Sequence, residues 1–378
     1  PALRAALPAG TAMTAPTPGS NDELRHRLQT LLDEQVHAES TRGAQALVHV
    51  GDREPIRVAT GRFAQSDCPV TDDTRFCVYS ISKTVVATAI HLLAEDGRLR
   101  ICDQVSHYLP RFGGDRRDGV AHRVNIGHLL SHRAGVPDVD ETVTIHDYLH
   151  WHTAIDKICA LPVTDSFGRF EYHKLTAYAL LAEIVARVSG REFTTFAAER
   201  IFAPLGMRRT SWGLQDHMVD GATEIRGVSA ETDRKNLVWR RPEIRRSFQP
   251  SMGLYSTATD LAKLFGAWLR ARAGHGNPLA VCCATARLAT SIHARIGQAK
   301  EFGCGLGFMV GHDPVEATSR GVRCSPSTFG HPGRGTAIAY ADPATSLVAV
   351  LLLNTDIGQP AADRRFGKAA NLINDSVR

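Results

Sequence analysis

Residues 76–83 read Phe-Cys-Val-Tyr-Ser-Ile-Ser-Lys, and residues 84–97 continue as TVVATAIHLLAEDG. Apolar side chains recur in the second stretch at helical spacing, and Gly97 stands where a helix commonly ends. The pattern predicts a buried helix whose polar part is its first turn. The apolar positions that carry this prediction are Val86, Ile90 and Leu93.

Ser80 and Lys83 lie three positions apart at the start of this helix, so their side chains share one face. A serine hydroxyl is a poor nucleophile without an adjacent base, and the positive end of a helix dipole favours a neutral lysine. On a surface helix the same spacing usually means a capping serine and a solvated lysine. Here the apolar surroundings predict a buried lysine, which needs a functional reason.

The composition is that of an ordinary globular protein. The chain has 378 residues, 44 Lys plus Arg, 39 Asp plus Glu, a net charge of +5 and 43% hydrophobic residues. This length favours about two domains, and the composition excludes disordered, collagen-like and fibrous chains. A weakly basic balance without clustering does not indicate nucleic acid, and no apolar run reaches the roughly 18 residues of a membrane span. We therefore expect neither nucleic acid nor a membrane as a partner.

The eight cysteines are scattered, with no C-x-x-C pair and no zinc-ligand spacing. We predict mostly buried free thiols and a reducing compartment. Residues 1–20 are rich in Ala, Pro, Thr and Gly, which favours a mobile tail, and they lack the apolar run of a signal peptide. The expected location is cytoplasmic, and neither a metal nor an organic cofactor is implied.

Periodicity divides the chain into a sheet-forming part and a helical part. Residues 21–110 and 250–378 are predicted to form a discontinuous α/β domain, and residues 111–249 an inserted helical domain. The predicted helices are Asp22–His37, Thr84–Asp96, His122–Leu130, His173–Val188, Thr194–Phe202 and Ala361–Ile373. The predicted strands are Ala44–Val50, Ile56–Ala59, Gly305–Val310, Thr336–Tyr340 and Leu347–Leu353.

Five stretches, in order, resemble the signatures of one superfamily. They are residues 76–83, residues 96–110 (DGRL through VSHYLP), residues 128–135 (HLLSHRAG), residues 201–207 (IFAPLGM) and residues 251–261 (SMGLYST followed by DL). Together they cover roughly residues 40 to 355. They resemble the serine β-lactamase and penicillin-binding-protein superfamily, in the branch of class C β-lactamases, D-amino-acid peptidases, family VIII carboxylesterases and transacylases. The resemblance implies an antiparallel β-lactamase-like sheet flanked by helices, with an inserted helical domain.

The resemblance also implies roles for the matching residues. Ser80 would be the nucleophile, Lys83 its proton-accepting or orienting partner, and Tyr172 the third member of the site. A tyrosine becomes a plausible base beside a cation, and Lys83 is one. The choice between Lys83 and Tyr172 as the working base stays open. The backbone N–H groups of Ser80 and Arg334 would form the oxyanion hole.

The hexapeptide GHPGRG at residues 330–335 occupies the place of the family's K-T-G or H-x-G motif. His331 is the histidine variant that is common among esterases, and Gly333 would let a substrate lie against the strand edge. We therefore count both residues as candidate substrate-binding residues. A Gly-rich turn before a strand is the alternative interpretation.

Lys174 stands where β-lactamases of this superfamily carry the asparagine of Tyr-x-Asn, and the following segment is about one residue longer than usual. This departure favours esterases and transacylases over β-lactamases. Lys174 is a candidate contact to an anionic substrate group, although such lysines are often solvated. Trp239, within the basic run at residues 234–246, is a further candidate for stacking on substrate.

The prediction is a serine acyl-enzyme catalyst acting on a small-molecule ester or amide. The acyl group would pass to water or to an amine or alcohol acceptor, which makes the protein a carboxylesterase or transacylase. A role in secondary metabolism such as antibiotic biosynthesis rests on family analogy alone. One alternative is a β-lactamase, a D-aminopeptidase or a D,D-peptidase, which rapid turnover of a cephalosporin or the finding of a leader peptide ahead of Pro1 would favour. The other is a non-catalytic binding homologue.

Overall fold

The computed structural model describes residues 20–114, 119–138, 143–297, 301–312 and 319–377. The predicted tail lies outside these ranges except for Ser20, whose side chain accepts a hydrogen bond from the Glu23 amide and caps the first helix. The expected mobility of the tail stays a prediction.

The centre of the fold is an eight-stranded sheet in the order β2-β1-β12-β11-β10-β9-β8-β7, in which every neighbouring pair is antiparallel. This confirms the predicted fold class. The strands are β1 (Gly43–Val50), β2 (Ile56–Gly61), β3 (Phe76–Cys77), β4 (Ser211–Trp212), β5 (Arg226–Gly227), β6 (Leu254–Ser256), β7 (Ala294–Arg295), β8 (Phe302–Cys304), β9 (Met309–Gly311), β10 (Phe329–Gly333), β11 (Ala337–Asp342), β12 (Leu347–Leu353) and β13 (Thr355–Asp356).

The helices cover both faces of this sheet. They are α1 (Asn21–His37), α2 (Ser82–Glu95), α3 (Val105–Tyr108), α4 (Ile126–Leu130), α5 (Trp151–Ala160), α6 (Thr176–Ser189), α7 (Phe193–Ala197), α8 (Ala203–Leu205), α9 (Asp216–Val219), α10 (Ala230–Arg240), α11 (Pro242–Arg246), α12 (Ala258–Arg272), α13 (Cys283–Ala289) and α14 (Ala361–Ser376). None of the helices in the described ranges is long and apolar enough to cross a membrane.

β12 shows why the sheet is buried on both sides. Its sequence LVAVLLL is apolar throughout, as expected of a strand that is covered on both faces. Val348, Val350 and Leu352 join the large core around α2 and α12. The alternate residues, such as Leu351, join a second core under α1 and α14. The large core continues into the helical segment, so α2 lies at the centre of the molecule.

Several predicted boundaries differ from the structure for local reasons. The predicted helix His122–Leu130 is a 3₁₀ turn and a separate α4, because the Asn125 side chain caps the His128 amide. The predicted strand Gly305–Val310 is a hairpin of β8 and β9 with Gly307 at φ +104 between them. The predicted helix Thr194–Phe202 begins at Phe193 and continues as a π-helical turn.

The predicted division at residues 110 and 250 stays a prediction. The segment 111–249 is mainly helical but also supplies β4, which pairs with β6, and β5, which pairs with β13. All eight cysteines are free, and Cys77, Cys159, Cys304 and Cys324 are buried. Three others are exposed, so the expectation of mostly buried thiols holds for only half of them. The cytoplasmic location is not tested by this arrangement.

Candidate active site

A tight turn presents Ser80 at the start of α2. Tyr79–Ile81 form one turn of 3₁₀ helix, and Tyr79 adopts a left-handed backbone with φ +44. The Ser82 hydroxyl donates to the Tyr79 carbonyl and accepts from the Leu254 amide at 3.1 Å, which ties the turn to β6. Ser80 itself is 8% exposed, so protein encloses most of its surface.

Lys83 is fully buried beside this serine. Its Nζ lies 3.2 Å from Ser80 Oγ and donates to the carbonyls of Lys174 at 2.9 Å and Ser251 at 3.3 Å. Burial lowers the pKa of Lys83 from its ordinary 10.5 to about 7, and the more distant Asp138 opposes this only weakly. The predicted pairing of hydroxyl and amine is therefore present, and the amine is largely neutral above about pH 7.

Tyr172 completes the trio that the resemblance implied. Lys83 Nζ lies 5.1 Å from the centre of the Tyr172 ring. Burial raises the pKa of the Tyr172 phenol well above its ordinary value, and a hydrogen bond with Ser80 offsets only part of this. Tyr172 therefore stays a neutral phenol near Ser80 across the physiological pH range.

Neutral histidine rings surround Tyr172. The ring of His132 lies 4.5 Å and that of His331 6.1 Å from the Tyr172 ring, centre to centre. Burial lowers the pKa of His132 well below its ordinary value and that of His331 to about 3. His132 Nδ1 accepts from the His173 amide at 3.0 Å, which fixes its tautomer. These rings add no positive charge that would stabilise a phenolate.

β10 brings the GHPGRG motif against the nucleophile turn. A Cβ atom on Gly333 would lie 2.4 Å from the Val78 carbonyl, so only glycine permits this approach. The next residue, Arg334, has a left-handed φ of +41. In the described ranges, neither the Ser80 nor the Arg334 amide donates to a backbone carbonyl outside the helices and strands. The role of these two amides as the oxyanion hole stays a prediction.

The other predicted substrate-binding residues, Lys174, His331 and Trp239, differ in how exposed they are and in which atoms make contacts. Lys174 contributes its backbone carbonyl, whereas its side chain is exposed. His331 is buried, and its Nδ1 hydrogen-bonds to the Pro332 carbonyl at 2.7 Å. Trp239 is half-buried with its edge against the Tyr79 ring at 5.4 Å. The substrate-binding roles of these residues and of Gly333 stay predictions.

Several positive side chains of the basic run at residues 234–246 form ion pairs with nearby carboxylates. Arg240 makes a bidentate pair with Asp233, and other members pair singly with carboxylates. These single pairs are Lys235–Glu231, Arg245–Glu224 and Arg246–Asp216. These ion pairs reduce the net positive charge of the run, so it does not form a broad cationic surface.

Sequence reasoning missed three contributors to the site. The Ser251 carbonyl holds Lys83, and the Ser251 hydroxyl donates to the Leu175 carbonyl at 2.9 Å. Asp138 accepts from the amides of Lys174 and Leu175, which delays the start of α6 until Thr176. His132 packs on Tyr172. Ser251 and His132 lie within recognised motifs, so their position was a signal, whereas nothing in the sequence marked Asp138.

The arrangement suits acyl transfer through a serine ester. The Ser80 hydroxyl, the Lys83 amine and the Tyr172 phenol lie together, which are the groups needed to attack a carbonyl and to move the proton. Among the described residues, no group of three or more His, Cys, Asp or Glu side chains is arranged to hold a metal ion.

Two curated relatives match part of the chain. A protein of Escherichia coli (strain K12) named "Putative D-alanyl-D-alanine carboxypeptidase" is 23% identical over 299 residues, which are 73% of this chain and 67% of that protein. Esterase EstB of Burkholderia gladioli is 27% identical over 199 residues, 49% of this chain and 50% of the esterase. The chain thus spans about half to two thirds of the length of these relatives.

Solved structures match nearly the whole chain. EstCE1, described as a hydrolase with promiscuous acyltransferase activity, superimposes with a TM-score of 0.77 at 20% identity and covers 93% of this chain and 99% of that one. A penicillin-binding-protein homologue from Caulobacter crescentus gives 0.75 at 24% identity, with 92% and 97% coverage. These likenesses confirm the fold. The sequence model described as Beta-lactamase matches residues 28–372, so the chain belongs to the Beta-lactamase family of serine hydrolases, which includes esterases, D-alanine carboxypeptidases and amidases.

Proposed function

We propose that this chain is an acyl-enzyme catalyst that cleaves a small-molecule ester or amide at Ser80 and passes the acyl group to water or to an amine or alcohol. Ester substrates are the preferred class. The observation that carries the proposal is the environment of Lys83: full burial, a pKa near 7, and Nζ within 3.2 Å of Ser80 Oγ.

The hydrogen-bond partners of Lys83 suit both of its charge states, because as an ammonium it donates to Ser80 Oγ and to two carbonyls. A neutral amine has two N–H donors and one lone pair, whereas an ammonium has three donors and no acceptor. The Lys174 and Ser251 carbonyls accept the two N–H bonds. In the neutral form the lone pair takes the place of the third donated bond, which points to Ser80 Oγ, so the amine accepts the proton that Ser80 loses.

Acylation follows from this placement. Ser80 Oγ bonds to the substrate carbonyl carbon while its proton moves to Lys83 Nζ, and the carbonyl oxygen becomes an oxyanion held by the Ser80 and Arg334 amides. The bond to the leaving group then breaks. The Tyr172 hydroxyl gives its proton to the leaving oxygen or nitrogen and takes one from the Lys83 ammonium, so both side chains return to their neutral forms. Lys83 is the base, and Tyr172 relays the proton.

Deacylation runs the same steps with a different nucleophile. Lys83 takes a proton from water, an alcohol or an amine as that molecule attacks the acyl-Ser80 ester. Tyr172 then gives its proton to Ser80 Oγ as the ester bond breaks and takes one from the Lys83 ammonium, so both side chains end neutral. The acceptor therefore decides whether the reaction is hydrolysis or transfer.

Two comparisons support the preference for esters and for transfer. EstB is an esterase by name, and EstCE1 is described as a hydrolase with acyltransferase activity. The second support is local: Lys174 provides a backbone carbonyl where β-lactamases of the superfamily place an asparagine amide. A place in antibiotic biosynthesis stays a prediction.

The test is intact-protein mass spectrometry after brief mixing with a p-nitrophenyl ester, for wild type and Ser80→Ala. An adduct with the mass of the acyl group, lost in Ser80→Ala, is the expected result. Addition of a primary amine separates the two outcomes: acylated amine identifies a transacylase, and discharge by water alone identifies an esterase. An adduct that persists in Ser80→Ala would refute Ser80 as the nucleophile.

The β-lactamase and D-peptidase alternatives are tested with the same protein. Turnover of a cephalosporin or a D-amino-acid amide faster than that of the esters would overturn the ester preference while leaving Ser80 chemistry intact. Absence of any adduct with all three substrate types would favour a binding homologue.

A further inference from the structure

The two backbone segments that supply the proposed oxyanion hole each contain a strained residue. Tyr79, just before Ser80, has φ +44, and Arg334 has φ +41. A left-handed backbone costs a non-glycine residue about 1–2 kcal/mol, and such residues persist only where their surroundings hold them. The orientation of the two amides therefore depends on what holds these two residues.

One helix, α10, contacts both of them. Tyr79 Oη donates to Asn236 Oδ1 at 3.1 Å, and Trp239 lies edge-on to the Tyr79 ring. Arg334 Nη2 donates to the Lys235 carbonyl at 3.0 Å. The Arg334 guanidinium also lies over the Tyr79 ring, 5.6 Å from its centre. The two strained residues thus hydrogen-bond to adjacent residues of α10, Asn236 and Lys235, and contact each other.

Asn236 of α10 is held in place by its own hydrogen bonds, and it is the residue to which the Tyr79 hydroxyl binds. It is the one residue of α10 that is fully buried, so hydrogen bonds rather than apolar burial hold the helix here. Its Nδ2 donates to the Thr232 carbonyl at 2.8 Å and to Asp356 Oδ2 at 3.0 Å, both of which can only accept. This sets the amide so that Oδ1 faces Tyr79. Tyr79 is 0% exposed and therefore does not touch substrate.

α10 is itself tied to the sheet domain. β5, which precedes it, pairs with β13, and Asp356 of β13 holds Asn236. The Gly227 amide donates to Asp233 Oδ1 at 2.9 Å, and Ser229 caps the helix. The chain of contacts runs without a break from β13 through Asn236 to Tyr79.

We infer that α10 is a positioning element of the oxyanion hole, in which Asn236 and the Tyr79 hydroxyl set the Ser80 and Arg334 amides. The inference rests on the proposed function. Its residues act through the backbone of their neighbours and are positioning residues, not catalytic ones. Loosening them lowers stabilisation of the tetrahedral oxyanion while leaving ground-state binding and the proton chemistry of Lys83 unchanged.

The test uses Tyr79→Phe, which keeps the ring and removes the bond to Asn236. Loss of one oxyanion donor costs about 10²–10³-fold, so misalignment should slow acylation by roughly 10-fold. Phenylboronic acid, which adds to a serine hydroxyl as a tetrahedral anion, should bind roughly 10-fold more weakly. KM for the p-nitrophenyl ester and the midpoint of the pH profile should not change.

The matched control is Tyr340→Phe. Tyr340 is equally buried, and its hydroxyl contacts Asn374 Nδ2 at 3.4 Å on the far side of the sheet. This variant should keep wild-type acylation and boronate affinity even if its melting temperature falls. A second variant, Asn236→Leu, should reproduce the kinetic pattern of Tyr79→Phe if circular dichroism shows it folded.

Two results would overturn the inference in distinguishable ways. Wild-type acylation rate and boronate affinity in Tyr79→Phe would refute the role of α10 and leave the Ser80 mechanism standing. A wild-type protein that forms neither acyl adduct nor boronate adduct would refute the proposed function and the inference with it.

Discussion

The two walls of the candidate active site differ in how many of their polar side chains hydrogen-bond to other protein groups. On the sheet-side wall, residues 79–83 and 330–335, the Ser80, Ser82 and Lys83 side chains all have hydrogen-bond partners. On the helical-side wall, His132 and residues 172–176, several buried atoms have no protein partner. These are His132 Nε2, both ring nitrogens of His173 and Thr176 Oγ1.

This difference concerns how firmly each wall holds its side chains. Fully bonded side chains hold one geometry, which is what nucleophilic attack requires. We therefore expect changes on the sheet-side wall, where Ser80 and Lys83 lie, to lower activity more than changes on the helical-side wall.

The largest expected effect is on the sheet-side wall. Ser80→Ala should reduce turnover of a p-nitrophenyl ester by about 10⁵-fold or more, because no other group can form the acyl intermediate. Its melting temperature should change by less than about 2 °C, since the hydroxyl is a minor packing element. Residual turnover within about 100-fold of wild type would contradict the assignment.

Thr88→Val is the matched control for this substitution. Thr88 lies on the same helix, two turns deeper, and its hydroxyl accepts from Trp268 Nε1 at 3.0 Å. Loss of this buried partner should cost about 1–3 kcal/mol of unfolding free energy. Acylation should persist, so the two variants should show opposite signatures in the mass spectrometer and the thermal melt.

Lys83→Met is expected to be the next most damaging change. It should slow acylation by roughly 10³-fold, because it removes the base but fills the buried site with an apolar chain of similar length. In the wild type, acylation should rise with pH and level off above about 7, since the pKa of Lys83 is lowered to that value and only the neutral amine accepts a proton. The rise should vanish in the variant. A wild-type rate that is flat across this range would show that Lys83 is not the titrating base.

Tyr172 lies on the helical-side wall, but the proposed mechanism gives it a part in proton transfer, so Tyr172→Phe should also affect the rate. Loss of the proton relay should slow acylation by about 10²-fold. The midpoint of the pH profile should remain near 7, because it belongs to Lys83 and the raised pKa of Tyr172 keeps the phenol neutral. Disappearance of that midpoint in this variant would instead identify Tyr172 as the base.

The sequence was sufficient for the sheet-side wall. S-x-x-K spacing and the apolar helix behind it predicted the contact between Ser80 and Lys83, and the family resemblance placed the GHPGRG strand beside the nucleophile. These features depend on residues close in sequence or on glycine where backbones meet, as at Gly333 against Val78. Local spacing and backbone sterics are what a single sequence expresses most directly.

The helical-side wall depends on long-range contacts that no local pattern encodes. The predicted helix His173–Val188 begins at Thr176 because Asp138, distant in sequence, binds the amides of Lys174 and Leu175. The Lys83 contact to the Lys174 carbonyl follows from that unwound stretch. Tertiary contacts of this kind override helix propensity, and side-chain identity at position 174 does not reveal them.

Lys174→Ala tests whether Lys174 acts through its backbone carbonyl or through its side chain, and it has the smallest expected effect. If the residue acts through its carbonyl, removal of an exposed ammonium should change kcat/KM for a neutral ester by about 2-fold or less, as for other surface substitutions. Lys368→Ala, an equally exposed lysine on α14, gives the baseline for loss of one positive charge. Comparison of a neutral and an anionic p-nitrophenyl ester then isolates the side chain. A loss above about 10-fold for the anionic ester alone, absent in Lys368→Ala, would show that the ammonium binds substrate and that the helical-side wall recognises charge.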